Sequence, residues 1–226
     1  MRRYDAILLD VDGTLVDSND AHAHAWVEAL ALEDIEVSWS RIRRLIGIGG
    51  DRMVELLAGH PRGSKENEKL GKKRGELFRE KWLAKVTPIV GTRELILRLR
   101  SEGYRYAIAS AARSDELGPL LEIANVADLC TVATTSSDVE ESKPHPDFVE
   151  ASLEKVPSER SRVVMLGDTP YDVEAARGAS VDIIGTTTGG WTHEALAGAV
   201  AVFRGPADLL AHWDDSPLGP RWPAGI

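Results

Sequence analysis

The sequence predicts an α/β fold: a Rossmann-like parallel sheet with helices on both faces, and a small all-helical cap inserted after the first strand. Three observations predict it. Short apolar runs recur along the chain with helical periodicity between them, the alternation expected of a mostly parallel sheet. One interval, residues 16–87, breaks that alternation and holds only helical patterns. The side chains best suited to chemistry fall just beyond the apolar runs, at the sheet edge where open α/β folds bind ligands.

The strand-like runs are residues 6–9, 104–109, 131–134, 163–166, 183–186 and 200–203. Helical patterns fill the gaps at 92–101 (after Gly91), 114–123, 146–155, 171–178 and 206–213. Within the interval that lacks strands, the first helix covers 21–32, with Trp26, Ala29 and Leu30 at helical spacing. The second follows Ser38 as N-cap and carries Trp39, Ile42, Leu45 and Ile46 on one face. A third carries Met53, Leu56 and Leu57, and the last Leu70, Leu77, Phe78 and Trp82. This divides the chain into a core of residues 1–15 and 88–226 and a helical cap of 16–87. Helices inserted after the first strand can sit over the strand ends as a lid. The tail from Asp214 on, with Pro217, Gly219, Pro220, Pro223 and Gly225, reads as irregular, with Trp222 as its anchor.

Composition narrows the function classes. The chain has 226 residues, 43% of them hydrophobic, and a net charge of -9. That length suits one domain with an insertion or two small ones. The acidic balance argues against bulk nucleic-acid or anionic-membrane binding. It leaves room for an anionic small molecule, because a metal and a few cations can reverse the sign inside a cleft. No apolar run approaches the ~18 residues of a membrane span, and the N-terminus has no signal-peptide pattern. The single cysteine, Cys130, lies in an apolar context and reads as core. A reducing, cytoplasmic setting is the expectation. The lysine- and glutamate-rich stretch 62–85 reads as a solvated helix face. Monomer and homodimer both stay open.

Asp10-Val11-Asp12-Gly13-Thr14 directly follows the first apolar run. Two carboxylates at the mouth of a buried strand are costly unless something positive sits with them, and a hard divalent cation such as magnesium is the simplest partner. Ser110 follows the second run, Lys143 lies after the third, and Asp168 and Asp172 follow the fourth. Each alone has an ordinary reading: a turn, a helix cap or a surface lysine. Gly167-Asp168-Thr169-Pro170 in particular has the form of a turn capping a helix that starts at Pro170.

Taken together and in order, these motifs resemble those of the haloacid dehalogenase superfamily, in its helical-cap branch of phosphoglycolate phosphatases and β-phosphoglucomutases. The match rests on DVDGT at 10–14, Ser110, the Lys-Pro-x-Pro-Asp run from Lys143 to Asp147, and GDTPYD at 167–172. The resemblance implies roles that the chemistry accommodates. Asp10 would be the nucleophile, forming an aspartyl-phosphate. Asp12 would be general acid and then base. Ser110 and Lys143 would bind the phosphoryl group. Magnesium would be held by Asp10, the Asp12 backbone carbonyl, Asp168 and Asp172. Gly13, Thr14 and Ala111 would line the phosphate site. The loop Gly47-Ile48-Gly49-Gly50-Asp51 joins two lid helices, and Gly49, Gly50 and Arg52 are its candidates for substrate contact, with Arg43 and Arg44 nearby. His22 is assigned to hinge packing or to a supporting place beside the cleft. The chain departs from the similar sugar phosphomutases, which carry a lysine and an arginine around this loop; Ile46 and Gly50 stand at those places here. The dehalogenases lack the second aspartate, so Asp12 points away from their chemistry. The expectation is a magnesium-dependent phosphatase acting on a small phosphorylated metabolite, with a phosphomutase as the alternative and a non-catalytic phospho-acceptor module behind it.

Overall fold

A computed structural model describes residues 2–139 and 141–223. Its main sheet has six parallel strands in the order β5-β4-β1-β6-β7-β8. These are β1 (Ala6–Leu9), β4 (Arg105–Ala109), β5 (Ala133–Thr134), β6 (Val163–Gly167), β7 (Asp182–Thr186) and β8 (Ala201–Phe203). Strand β1 is central and buried on both faces, which explains its uninterrupted apolar run. The helices between strands are α5 (Thr92–Ser101), α6 (Ser114–Ile123), α7 (Asp147–Leu153), α8 (Pro170–Gly178) and α9 (Pro206–Ala211). Two apolar clusters, one on each face, sandwich the sheet. One includes Ile7, Leu9, Leu95 and Leu120, and the other Leu8, Phe148, Met165 and Ala175. Cys130 is buried in the first.

The helical interval has a core of its own. Helices α1 (Asn19–Ala31), α2 (Trp39–Arg43), α3 (Gly50–Ala58) and α4 (Lys65–Leu77) bury Trp26, Ile42, Met53, Leu70 and Leu77 against one another. Ser38 caps α2 by accepting the Arg41 N–H at 3.4 Å. Past α4 the chain continues through a π-helical turn at Phe78–Trp82.

Four features differ from the sequence reading. A two-residue strand, β2 (Val16–Asp17), pairs antiparallel with β3 (Thr87–Pro88), inside an interval expected to be helical throughout. Two-residue strands carry too few positions to show a period. Trp39 and Leu56, expected on apolar faces, are exposed, because α2 and α3 are too short to bury every apolar position at helical spacing. Helix α9 stops at Ala211, and a 3₁₀ turn at Trp213–Asp215 follows. The tail is anchored by Trp213 and Leu218, both buried, rather than by half-buried Trp222. Tyr104 donates its hydroxyl proton to the Leu218 carbonyl at 2.6 Å, and Tyr104 packs edge-on against Trp213. Gly225 lies outside the described residues.

Candidate active site

Parallel pairing sets Leu9 opposite both Ile108 and Leu166, so the residues just beyond β1, β4 and β6 share one sheet edge. Asp10, Ser110 and Asp168 are those residues. Lys143 enters from the loop before α7, and Asp172 from the first turn of α8.

Lys143 is 2% exposed. Its Nζ donates to Asp10 Oδ1 at 2.7 Å and lies 2.7 Å from Asp172 Oδ1. Burial alone would push this ammonium down, but Asp10 and Asp172 outweigh it and hold Lys143 above the ordinary lysine value. Thr14 Oγ1 stands 3.0 Å from Asp10 Oδ2 and 3.2 Å from Asp168 Oδ1, and its single proton serves one of them at a time. Asn19, the first residue of α1, donates to Asp168 Oδ2 at 2.9 Å.

The backbone closes tightly round Asp168. Gly13 adopts φ +78°, and a Cβ there would come within 2.1 Å of Asp168 Oδ2; one at Gly189 would come within 1.7 Å. The turn reading and the functional reading of 167–172 both hold. Thr169 caps α8 in a capping box with Asp172, and Pro170 occupies the first turn. The cap fixes the Asp172 carboxylate, whose Oδ2 accepts from the Thr169 N–H at 3.0 Å.

Carboxylate oxygens of Asp10, Asp168 and Asp172 fall within 4.8 Å of one another. Three buried carboxylates face one lysine, and the imbalance appears in their proton affinity. Burial raises Asp10 to about 7, with Lys143 pulling it down and Asp172 adding to the rise. Burial also holds Asp168 well above the usual carboxylate range, reinforced by Asp10 and Asp172. An all-oxygen donor set with excess negative charge fits a hard divalent cation. Asp10, Asp168 and Asp172 are the side chains that would hold it.

Asp12 is turned to other partners. Its Oδ1 accepts from Ser18 Oγ at 2.5 Å and lies 2.9 Å from His22 Nε2. Burial would raise this carboxyl, but His22, Ser18 and Arg74 outweigh it and hold Asp12 below the ordinary value. His22 stacks on Phe78 with ring centroids 4.0 Å apart, and its Nδ1 lies 3.3 Å from Arg74 NH1. Arginine can only donate, so Nδ1 accepts and Nε2 carries the proton directed at Asp12. His22 therefore both packs at the hinge and touches Asp12.

A cavity of about 70 Å³ opens above these groups. Asp10, Lys143, Asp168 and Asp172 form its floor, Trp26, Met53 and Arg74 come from the helices above, and Ile46 from the loop between α2 and α3. Ala111 and Gly50 line it. Gly49 packs against the loop carrying Lys143, with its N–H donated to the Lys143 carbonyl at 3.3 Å, and borders a neighbouring cavity. Ser110 is fully buried, and its Oγ accepts the Ala112 N–H at 3.1 Å, which leaves its hydroxyl proton to be donated. Arg52 stands outside this cavity, paired with Glu141 at 2.7 Å because the first turn of α3 directs it toward the core loop before Lys143. Arg43 bridges Asp20 at 2.6 Å and the Gly189 carbonyl at 2.7 Å, so it ties the helices to the loop over Asp168. The Arg44 carbonyl accepts from Tyr171 Oη at 2.8 Å.

Asn19, Arg74 and Glu116 are polar cavity residues that the sequence reading missed. Arg74 was hidden in a stretch read as solvated. Its signal was spacing, because Asn67, Leu70, Arg74 and Leu77 recur at three and four residues and all four are buried. Glu116 of α6 precedes the buried Leu120 by four residues and is itself buried.

The chain belongs to the haloacid dehalogenase-like hydrolases, whose family model matches residues 7–186. It is 29% identical to a phosphoglycolate phosphatase from Yersinia pseudotuberculosis, over 92% of this chain and 90% of that protein. It is 26% identical to a pyrophosphatase PpaX from Bacillus velezensis, over 84% and 85% of the two chains. Among solved structures, a hydrolase from Pseudomonas syringae superposes with a TM-score of 0.84 at 30% identity, covering 93% of this chain and 98% of that one. Among the described residues no helix is long and apolar enough to cross a membrane.

Proposed function

We propose that the protein is a magnesium-dependent phosphatase of small phosphate monoesters, working through a phosphorylated Asp10. The observation that carries this is the buried Lys143, 2.7 Å from both Asp10 and Asp172, in a cluster of three carboxylates whose charge one lysine does not balance. Phosphoryl transfer asks for an in-line nucleophile and for charge stabilisation on the equatorial oxygens. Asp10 supplies the nucleophile, and Lys143 and Ser110 donate to the phosphoryl oxygens. The Asp10 carboxylate displaces the alcohol, and Asp12, entering the step in its acid form, gives its proton to the leaving oxygen; the Asp12 carboxylate so formed then deprotonates the water that cleaves the acyl phosphate and regains its proton. The link Asp12–His22–Arg74 orients that carboxylate. Bound at Asp10, Asp168 and Asp172, with the Asp12 carbonyl as a further donor, magnesium supplies neutralising charge for the phosphoryl group.

The helices from Asn19 to Lys85 act as a cap that covers the substrate, with Gly13, Thr14 and Ala111 at the phosphate end. The two named relatives act on different phosphate compounds, so the ester itself is an open choice between phosphoglycolate and sugar-phosphate types. Partners are small metabolites, the setting is cytoplasmic, and the enzyme works as a monomer or homodimer.

The test is a panel of phosphate metabolites assayed with magnesium, with Asp10→Asn as control. Turnover should fall on the order of 10⁴-fold in that variant. Comparable turnover would remove Asp10 from the chemistry. Interconversion of hexose phosphates with little free phosphate released would move the assignment to a phosphomutase. Retained phosphate without turnover of any ester would indicate a phospho-acceptor module.

A further inference from the structure

Among the described residues, Arg74 of α4 is the one arginine or lysine that the helices bring to the cavity, and it is already paired. Its NH1 lies 3.1 Å from Glu116 Oε2 of α6, across the junction between the helical region and the sheet. The Glu116 side chain has no solvent exposure and that of Arg74 is 9% exposed. On its far side Glu116 Oε1 is 3.8 Å from Arg79, but Arg79 NH1 is committed to Asp115 at 2.8 Å. Arg74 also spans the Trp26 ring at 5.4 Å and holds His22.

Two consequences follow for a leaving group above the phosphate. The first is charge. The cavity is lined by Asp10, Asp12, Glu116, Asp168 and Asp172 against two cations, Lys143 and Arg74. A divalent cation does not offset that excess, and the phosphoryl group adds more negative charge. A second anion on the substrate would find the nearest guanidinium occupied by Glu116 and the field against it.

The second consequence is hydrogen-bond capacity. Arg74 Nε and Glu116 Oε1 are buried without hydrogen-bond partners, Oε1 on the side toward Arg79, so the contact between the two side chains does not saturate either of them. A substrate hydroxyl can donate to the Glu116 carboxylate that lines the cavity, whereas a substrate carboxylate only accepts and meets a like charge there. Trp26, Ile46 and Met53 offer an apolar wall to a short carbon skeleton.

We infer that Glu116, by occupying Arg74, is a specificity-determining residue that selects phosphate esters of small uncharged hydroxylated alcohols and rejects esters whose leaving group carries a carboxylate. The inference rests on the phosphatase reading and narrows its substrate class.

The decisive comparison uses 2-hydroxyethyl phosphate and 2-phosphoglycolate, which are alike in size and differ in one carboxylate. The readout is the ratio of their kcat/KM values on one preparation with magnesium. The fraction of active protein cancels in that ratio, so a purely structural defect does not move it. The wild type is expected to favour the hydroxyethyl ester by at least about tenfold, the scale of one charged contact made or refused. Glu116→Gln frees Arg74 and should shift the ratio toward phosphoglycolate by about tenfold or more. Arg74→Met should shift it the other way. The double variant Arg74→Met/Glu116→Gln buries no lone charge and should return near the wild-type ratio. A wild type that prefers phosphoglycolate overturns the inference. So does a ratio that Glu116→Gln leaves unchanged or, should that variant not fold, one that Arg74→Met leaves unchanged. Absence of turnover for both esters and for p-nitrophenyl phosphate would fell the phosphatase reading itself, and is distinguishable from turnover without discrimination.

Discussion

The floor and the roof of the cavity are held in different ways. On the floor, Asp10 and Asp168 extend strands whose backbones are paired on both sides, and Lys143 clamps Asp10 to Asp172. Moving one of these groups means breaking a ladder or a buried ion pair. On the roof, Trp26, Ile46 and Met53 belong to a separate apolar core, and the helices meet the sheet through the two-residue ladder β2–β3, through Ala21, Ala25 and Phe78 in the sheet's own apolar cluster, and through polar bridges such as Arg43–Gly189. Polar side-chain bridges can be remade in another position, whereas the floor groups are fixed by strand ladders and a buried ion pair, so the roof is the more movable of the two. We therefore assign reaction chemistry to the floor and substrate choice to the roof. Variants of the two regions should differ in kind: floor variants should depress every ester alike, and roof variants should change which ester is preferred.

After Asp10→Asn, the largest effect is expected from Lys143→Met. It leaves Asp10 and Asp172 without their shared cation, so turnover should fall by about 10³-fold or more on every ester tested. Metal-free stability should drop by about 3–5 kcal/mol, the scale for removing one partner of a buried charge pair. Urea unfolding with and without magnesium checks this, and added metal should restore part of the loss. A variant that altered ester preference while keeping its best turnover would break the division between floor and roof.

Asp12→Asn is the next step down. Asp12 places its carboxylate against Ser18 and His22, outside the cluster of Asp10, Asp168 and Asp172. Magnesium affinity should hold within about threefold while turnover falls about 10²–10⁴-fold, the range of general acid–base catalysis. Calorimetric titration with magnesium beside ester assays separates the two. Weak metal binding with chemistry intact would assign Asp12 to the metal instead.

The carboxylates also set a pH dependence. An unfolded aspartate is ionised above about pH 4, whereas buried Asp10 holds its proton to about 7. Between these values the folded metal-free protein binds more protons than the unfolded chain, so its stability falls as pH rises through that window. A bound divalent cation replaces the proton, so the rise in Tm on adding magnesium should be larger at pH 8 than at pH 5.5. Thermal melts at the two pH values test the sign, and a larger gain at the acid value would contradict it.

The floor was also the more legible region. The six strands of the sheet read as apolar runs because a parallel strand covered on both faces leaves little room for polar residues, and the DVDGT and GDTPYD motifs stand at their ends. The roof was read as helices, but its contacts were not. Arg74 and Arg79 stand five residues apart in the same basic stretch, yet one is buried over Trp26 and the other pairs at the surface with Asp115. Composition treats them alike, and the three-and-four spacing separates them. Glu116 gave no chemical signal because an acidic residue in a helix's first turn is expected for the helix dipole alone. What it contacts is set by tertiary packing, 42 residues away in sequence at Arg74.

The smallest expected effect is also the sharpest on the roof. Sequence position makes Arg52 a substrate ligand, two residues past Gly50 in the loop over the cleft. The structure gives it to Glu141, which also accepts from Arg62, so the three side chains form a partly solvated bridge between α3 and the loop before Lys143. Surface pairs of this kind contribute about 0–1 kcal/mol. Arg52→Ala should therefore cost less than about 1 kcal/mol in urea unfolding and change kcat/KM less than about threefold on either ester, with Glu141 retaining Arg62. A loss tenfold or greater confined to KM would show that Arg52 leaves Glu141 to meet substrate when the helices close. The roof would then read its ligand with a residue from the outside of the present cavity, and the separation between Arg52 and Arg74 would be a property of the ligand-free arrangement alone.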